Sequence, residues 1–231
     1  MNSLDFSIVW QALPYLLHGL AFSLQLTVFA FLTGLGLGIV LALVRHLKVP
    51  VLAQLVVGYI TLIRSIPLIL VLFWFFFLVP ILLTPFSVDG RPIPVGAGPT
   101  AFVTFSLFEA AYYAEIIRTG LRSLNKGQFE AAAALSLSTF KTYRYVIIPQ
   151  VIRVVSPILL TQTIILFQDT SLVYVLSVVD LTGAAVKIAQ LNGKLVEMYL
   201  VVALVYLAIC STASQAVAML RERQMRTVRT R

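Results

Sequence analysis

The chain has 231 residues, 60% of them hydrophobic and 11% charged, with a formal net charge of +8. Soluble domains carry roughly 25% charged residues, and a soluble fold of this length has too little interior to hide so much apolar surface. The composition therefore describes a membrane protein, and the excess of basic residues points to the membrane rule for loops rather than to nucleic acid.

About 20 apolar residues are needed to cross ~30 Å of hydrocarbon. The arm before Gly19 has no Lys or Arg, lacks the basic start of a secretory signal, and leads into an apolar run too long for one. Five spans are predicted: Gly19–Val44, Ile66–Leu83, Pro99–Ile117, Val154–Val179 and Met198–Leu220. The apolar stretch Val51–Ile63 is short and is expected to lie at the interface, leading into the second span, with a sixth crossing as the alternative. Gly34 and Gly38 form a small-xxx-small pair, which predicts close helix packing in the first span. Pro85, Pro92, Pro94 and Pro99 mark an external loop between the second and third spans.

Of the 17 Lys and Arg, only Arg91, Lys187 and Lys194 fall in the loops on one side of this pattern. The others flank the opposite side, in the loops around Arg45, Lys48 and Arg64, from Arg118 to Arg153, and in the tail from Arg221 to Arg231. Positive residues collect in the cytoplasm, so the N-terminus is expected outside and the C-terminus inside. The expected organisation is all-α: an external arm over residues 1–18, a transmembrane domain over 19–220 with a cytoplasmic loop at about 119–153, and a basic cytoplasmic tail over 221–231.

Charges inside spans are expensive and usually face the bundle interior or a water-filled cavity. Glu109 and Asp169 are such charges. Two roles are open for each: a carboxylate satisfied by hydrogen bonds between helices, with Tyr113 or Gln162 as donors, or a group lining a pathway. Gln162, Gln168, Thr170 and Ser171 add neutral hydrogen-bonding groups to the fourth span and join the candidate pathway. Glu115 and Arg118 stand three apart on one helix face and are expected to pair. Arg64 either anchors to headgroups or pairs with a cytoplasmic acid.

The loop after the third span reads Glu130-Ala131-Ala132, then Ser136, then Val146-Ile147-Ile148-Pro149. Asn125 is suited to cap a helix starting near Lys126, the alanines favour helix, and Glu130 suits the positive end of its dipole. Ser138 is expected to cap a second short helix that ends before Pro149. This spacing resembles the Glu-Ala-Ala loop of ABC-importer permease subunits, with Ser136 in place of Gly, Val146 in place of Ile and Ile148 in place of Leu. Arg64-Ser65-Ile66-Pro67-Leu68, Phe108 to Arg118, and Phe167 to Tyr174 resemble segments of the polar amino acid permeases and extend the likeness over nearly the whole chain. The resemblance implies a subunit that moves a polar amino acid inward, glutamate or aspartate by the wording of the third and fourth spans, with glutamine, histidine or arginine as alternatives. It implies as partners a dimer of ATP-binding subunits gripping Glu130, Ala131, Ala132, Ser136 and Pro149, a second permease chain, identical or different, a periplasmic amino-acid-binding protein, and membrane lipid.

No phosphate-binding loop is present: Gly193-Lys194 is followed by Leu195 and has no Gly five residues before it. The chain is therefore not expected to be an enzyme or to hold a cofactor. His18 and His46 flank the first span on opposite sides, so a shared metal is excluded, and the lone Cys210 reads as a small buried hydrophobe.

Overall fold

The computed structural model describes residues 5–87 and 90–229, with the side chains of residues 225–229 left undescribed. Among the described residues every regular element is a helix. The basic tail residues Arg226, Arg229 and Arg231, and residues 1–4 of the arm, fall outside this description or have no described side chains.

The longest helix described, α1, runs over Ser7–His46 and contains Pro14 beyond its first turn, at the loss of one intrahelical donor. Its buried stripe is built largely from small residues, Ala12, Gly19, Ser23, Ala30, Gly34, Gly38 and Ala42. These let α4 (Ala97–Ser123) approach closely: a Cβ on Gly34 would lie 3.0 Å from the Cβ of Glu109, and one on Gly38 would lie 2.8 Å from that of Tyr113. Rising numbers on α1 meet rising numbers on α4, so the two run side by side in the same direction. The expected small-xxx-small packing is what the structure contains.

Between them in sequence, α2 (Leu52–Ser65) and α3 (Leu68–Leu82) form one broken element. Ile66 and Pro67 are extended, and Pro67 begins α3 where a missing N–H does little harm. Val56, Ile60, Ile63, Leu68, Val71 and Leu72 pack with Phe105, Phe108 and Leu26 into a single apolar core, so α2 is part of the bundle and not a helix lying apart at the interface.

After α4 come α5 (Gly127–Ala134), the single turn α6 (Thr139–Lys141), a π-helical segment Thr142–Ile147, and α7 (Ile148–Asp169). Ser138 caps α6 by accepting from the Lys141 amide, as expected. Pro149 does not end this helical run; it sits in the first turn of α7, where a missing N–H is harmless, and the chain continues straight through. A 3₁₀ segment, Thr170–Leu176, follows, and Ser177 turns the chain at φ 62°. Asp180 then caps α8 (Leu181–Asn192), accepting from the amides of Thr182 and Gly183 at 3.0 and 2.9 Å. Gly193, at φ 66°, closes α8 ahead of α9 (Leu195–Arg229). Lys194 Nζ bridges Asp5 and Glu197 at 3.4 and 3.7 Å, tying the start of the chain to the α8–α9 turn. The Ser7 backbone amide and the Lys194 ammonium hold the exposed Asp5 carboxyl below its usual range.

Four stretches among the described residues are long and apolar enough to cross a membrane: Ser7–His46, Leu68–Phe86, Thr139–Leu176 and Leu195–Gln224. The segment predicted as the third span, now α4, has the length but is less apolar. Its buried face carries Thr100, Thr104, Ser106 and Glu109 among alanines, which is the composition of a helix that faces protein on most sides.

Candidate functional site

Two groups of side chains stand out. The first surrounds α5. Asn125 Oδ1 accepts from the Gly127 amide at 2.9 Å and opens the helix as a cap, while Gln128 Oε1 accepts from Gln150 Nε2 at 3.1 Å. At the other end Ser136 has φ 53°, its amide donates to Ala133 at 2.9 Å and the Leu137 amide donates to Ala132 at 3.0 Å. That is a left-handed helix stop, the position that favours Gly. The chain keeps the backbone shape there with a serine.

Glu130 and Ala131 are exposed on α5, whereas Ala132 is only 3% exposed and turns into the chain's own interior. Of the expected pair, only Ala131 remains on the surface. Pro149 is also exposed. Leu135, Phe140 and Tyr145 are 74%, 72% and 67% exposed. Sequence reasoning passed over these three, although large apolar side chains in a basic loop outside the lipid are themselves a signal of a docking face.

This face is fastened to the bundle. The Phe129 and Tyr143 rings meet edge to face at 5.9 Å, and the Tyr143 hydroxyl lies 2.9 Å from His46 Nε2 at the end of α1. Ile147, Val151 and Val155 form a small core with Leu121, Leu124 and Phe129 beneath α5. Beside it Glu115 takes a bond from Arg45 Nη1 at 2.7 Å and pairs with Arg118, so α1 and α4 are clamped at the same level. The expected Glu115–Arg118 pair is present, with Arg45 as a third member.

The second group lies earlier along α4, toward its N-terminal end. Glu109 is 1% exposed; its Oε1 accepts from Gln162 at 3.3 Å, and its Oε2 is buried without a partner. Tyr113 contacts Thr163 at 3.4 Å. Asp169 is half-buried, and its carboxylate makes no hydrogen bond or ion pair among the described residues. Thr170 is fully buried and its hydroxyl donates to the Phe167 carbonyl at 2.7 Å, which removes it from any open surface. Gln168 is exposed and Ser171 half-buried. Arg64 sits 5.3 Å over the Tyr112 ring. Of the two roles expected for Arg64, the pairing with an acid is not found among the described residues. Among the described residues no cluster of three or more His, Cys, Asp or Glu is placed to hold a metal.

Residues 34–226 match the family described as binding-protein-dependent transport system inner membrane component. The glutamate/aspartate import permease protein GltK of Escherichia coli O6:H1 is 42% identical over 229 residues, covering 96% of this chain and 99% of that one. The probable glutamine ABC transporter permease protein GlnP of Bacillus subtilis is 33% identical over 220 residues, covering 93% and 95%. Among solved structures, an amino acid ABC transporter superposes with a TM-score of 0.86 at 28% identity, covering 96% of this chain and 100% of that one. The MetNI methionine ABC transporter shares the fold, with a TM-score of 0.63 at 19% identity.

Proposed function

Because the chain belongs to the binding-protein-dependent transport system inner membrane component family, we propose that it is the membrane-spanning subunit of an ABC importer for glutamate and aspartate. The higher identity to a glutamate/aspartate permease than to a glutamine permease supports that cargo, 42% against 33%. In this reading the chain crosses the inner membrane five times, through α1, the α2–α3 pair, α4, α7 and α9, with its N-terminus outside. The distribution of Lys and Arg supports the orientation.

The observation that carries the reading is the exposed face of α5 and the segment after it. Glu130, Ala131, Leu135, Phe140 and Tyr145 stand out from a helix that is fixed to α1, α4 and α7. Two ATP-binding subunits dock on two permease chains, one on this face of each, with Ser136 shaping the helix end and Pro149 starting the span behind it. A periplasmic amino-acid-binding protein delivers cargo from the opposite side. ATP favours the closed ATPase dimer, closure draws the two docking faces together, and the cavity between the permease chains turns outward. Glu109, Gln162, Gln168, Asp169 and Ser171 belong to the cargo pathway, and the buried Thr170 supports it from behind. ATP is hydrolysed by the partner, not by this chain.

The reading is tested by coexpressing the chain with candidate ATP-binding subunits and purifying through a tag on this chain. One ATP-binding subunit is expected to copurify, and cysteines placed at Leu135 or Phe140 are expected to cross-link to it. A permease that purifies alone and imports its cargo without ATP would contradict it.

A further inference from the structure

Between α1 and α9 lies a crevice that the transport reading leaves unused. Near the start of both helices α8 packs with them in one core: Leu181 and Ala185 join Leu16 of α1 and Met198 of α9. Farther along both helices a cavity of about 480 Å³ opens, walled by Leu24 and Thr27 of α1, Leu160 and Phe167 of α7, and Cys210 and Ala213 of α9. The lining is dry. Its two hydroxyls are used within their own helices, Thr27 donating to the Ser23 carbonyl at 2.8 Å and Thr163 to the Leu159 carbonyl at 2.9 Å. Such a crevice offers water no partner, and left empty it forfeits the contacts of every atom on its walls. In a chain that spans the membrane, the molecule at hand to fill it is a lipid tail.

Length and charge say which lipid. From Ile209 to Leu220 the crevice follows α9 for about 16 Å at ~1.5 Å per residue, the depth of one hydrocarbon leaflet, half of ~30 Å. Past Leu220 the surroundings turn polar and basic. Gln224, one turn on, donates to Ser156 of α7 at 3.1 Å and ties the two helices together there. Arg221 and Arg223 stand on either side of that stripe of α9, and Arg153 lies two turns before Leu160 on the matching stripe of α7. Arg153 and Arg221 are exposed and make no ion pair among the described residues. Basic residues at the end of an apolar crevice between spanning helices suit the phosphate of a lipid whose tail lies inside it.

We propose that the crevice between α1, α7 and α9 holds one acyl chain of an anionic phospholipid, with the headgroup at Arg153 and Arg221. This rests on the reading of the chain as membrane-spanning and, for the cytoplasmic leaflet, on the proposed orientation. It does not depend on the cargo.

The test equilibrates the full chain, purified with its ATP-binding subunit, with equal amounts of phosphatidylglycerol and phosphatidylethanolamine. Native mass spectrometry then counts the lipids retained. One phosphatidylglycerol per permease chain is expected, favoured about tenfold or more, since each arginine beside an anionic headgroup contributes on the order of fivefold. Arg153→Gln with Arg221→Gln is expected to remove most of that preference while one lipid is still held. Ala213→Leu with Ala216→Leu fills the crevice and is expected to abolish retention of either lipid. Thermal unfolding reports whether each variant is folded; the two arginines are exposed, so their variant keeps the test decisive if the filled one does not fold. A folded, filled variant that still retains the lipid, or a neutralised one that keeps the full preference, overturns the proposal. So does a disulfide between two permease chains through Ala213→Cys, which would put a second copy in the crevice. Failure of the ATP-binding subunit to copurify would instead overturn the proposed function, and the lipid count would still be read on the chain alone.

Discussion

At the scale of single residues, the docking face gives the sharpest expectations. Glu130 is exposed in the first turn of α5, where it complements the helix dipole. Losing that interaction is worth only about 0.3–1 kcal/mol, too little to unfold the segment. Glu130→Lys is therefore expected to insert normally and to lower ATP-driven uptake several-fold; normal uptake with normal ATPase association would remove Glu130 from the interface. Ser136, at φ 53°, sits in a conformation that costs a non-glycine residue roughly 1 kcal/mol. Ser136→Gly is expected to stabilise the helix end by about that amount, read as slower proteolysis of the 127–150 segment, whereas Ser136→Val is expected to loosen it. In the proposed pathway, Asp169→Asn is expected to reduce uptake of glutamate, glutamine and arginine without changing their order. A reordering would show that Asp169 reads the cargo side chain.

At the scale of elements, the contact between α1 and α4 depends on Gly34 and Gly38. Leucine at Gly38 would drive its side chain into Tyr113 and the backbone of Ala114 and Ala110. Overpacking of this kind costs about 1–3 kcal/mol, and a lowered melting temperature with normal expression is the expected result. The Tyr143 hydroxyl joins the docking segment to His46 at the end of α1. Tyr143→Phe keeps the ring contact with Phe129 and removes that bond, so ATP hydrolysis is expected to persist while uptake per ATP falls. Much of this level was legible beforehand. Long apolar runs marked four of the five predicted spans, Asn125 and the alanines marked α5, and the spacing of Glu115 and Arg118 marked their pair. What stayed hidden depends on contacts between segments distant in sequence. Ala132 and Ala131 look alike until the small core under α5 selects one of them. Val56, Ile60 and Ile63 pack α2 into the bundle core, although a short apolar stretch ahead of a span reads as a surface helix. Pro149 looked like a stop, but a proline in a first turn is compatible with a helix that begins there.

At the scale of the whole molecule, the proposed five-span arrangement makes the position of each loop a measurable quantity. A reporter fused after Arg231 is expected to behave as cytoplasmic, and one near Asp89 as external; both positions lie outside the described residues. The opposite behaviour at either would overturn the arrangement. The central claim is that this chain carries an amino acid inward using ATP hydrolysed by another subunit. The most direct measurement is uptake of radiolabelled glutamate into proteoliposomes that hold the purified permease–ATPase complex, with the binding protein and ATP placed on their respective sides. Uptake is expected only when the binding protein, the ATPase subunit and ATP are all present, with aspartate competing better than glutamine or arginine. Glutamate uptake that persists without ATP or without the ATPase subunit would contradict the account.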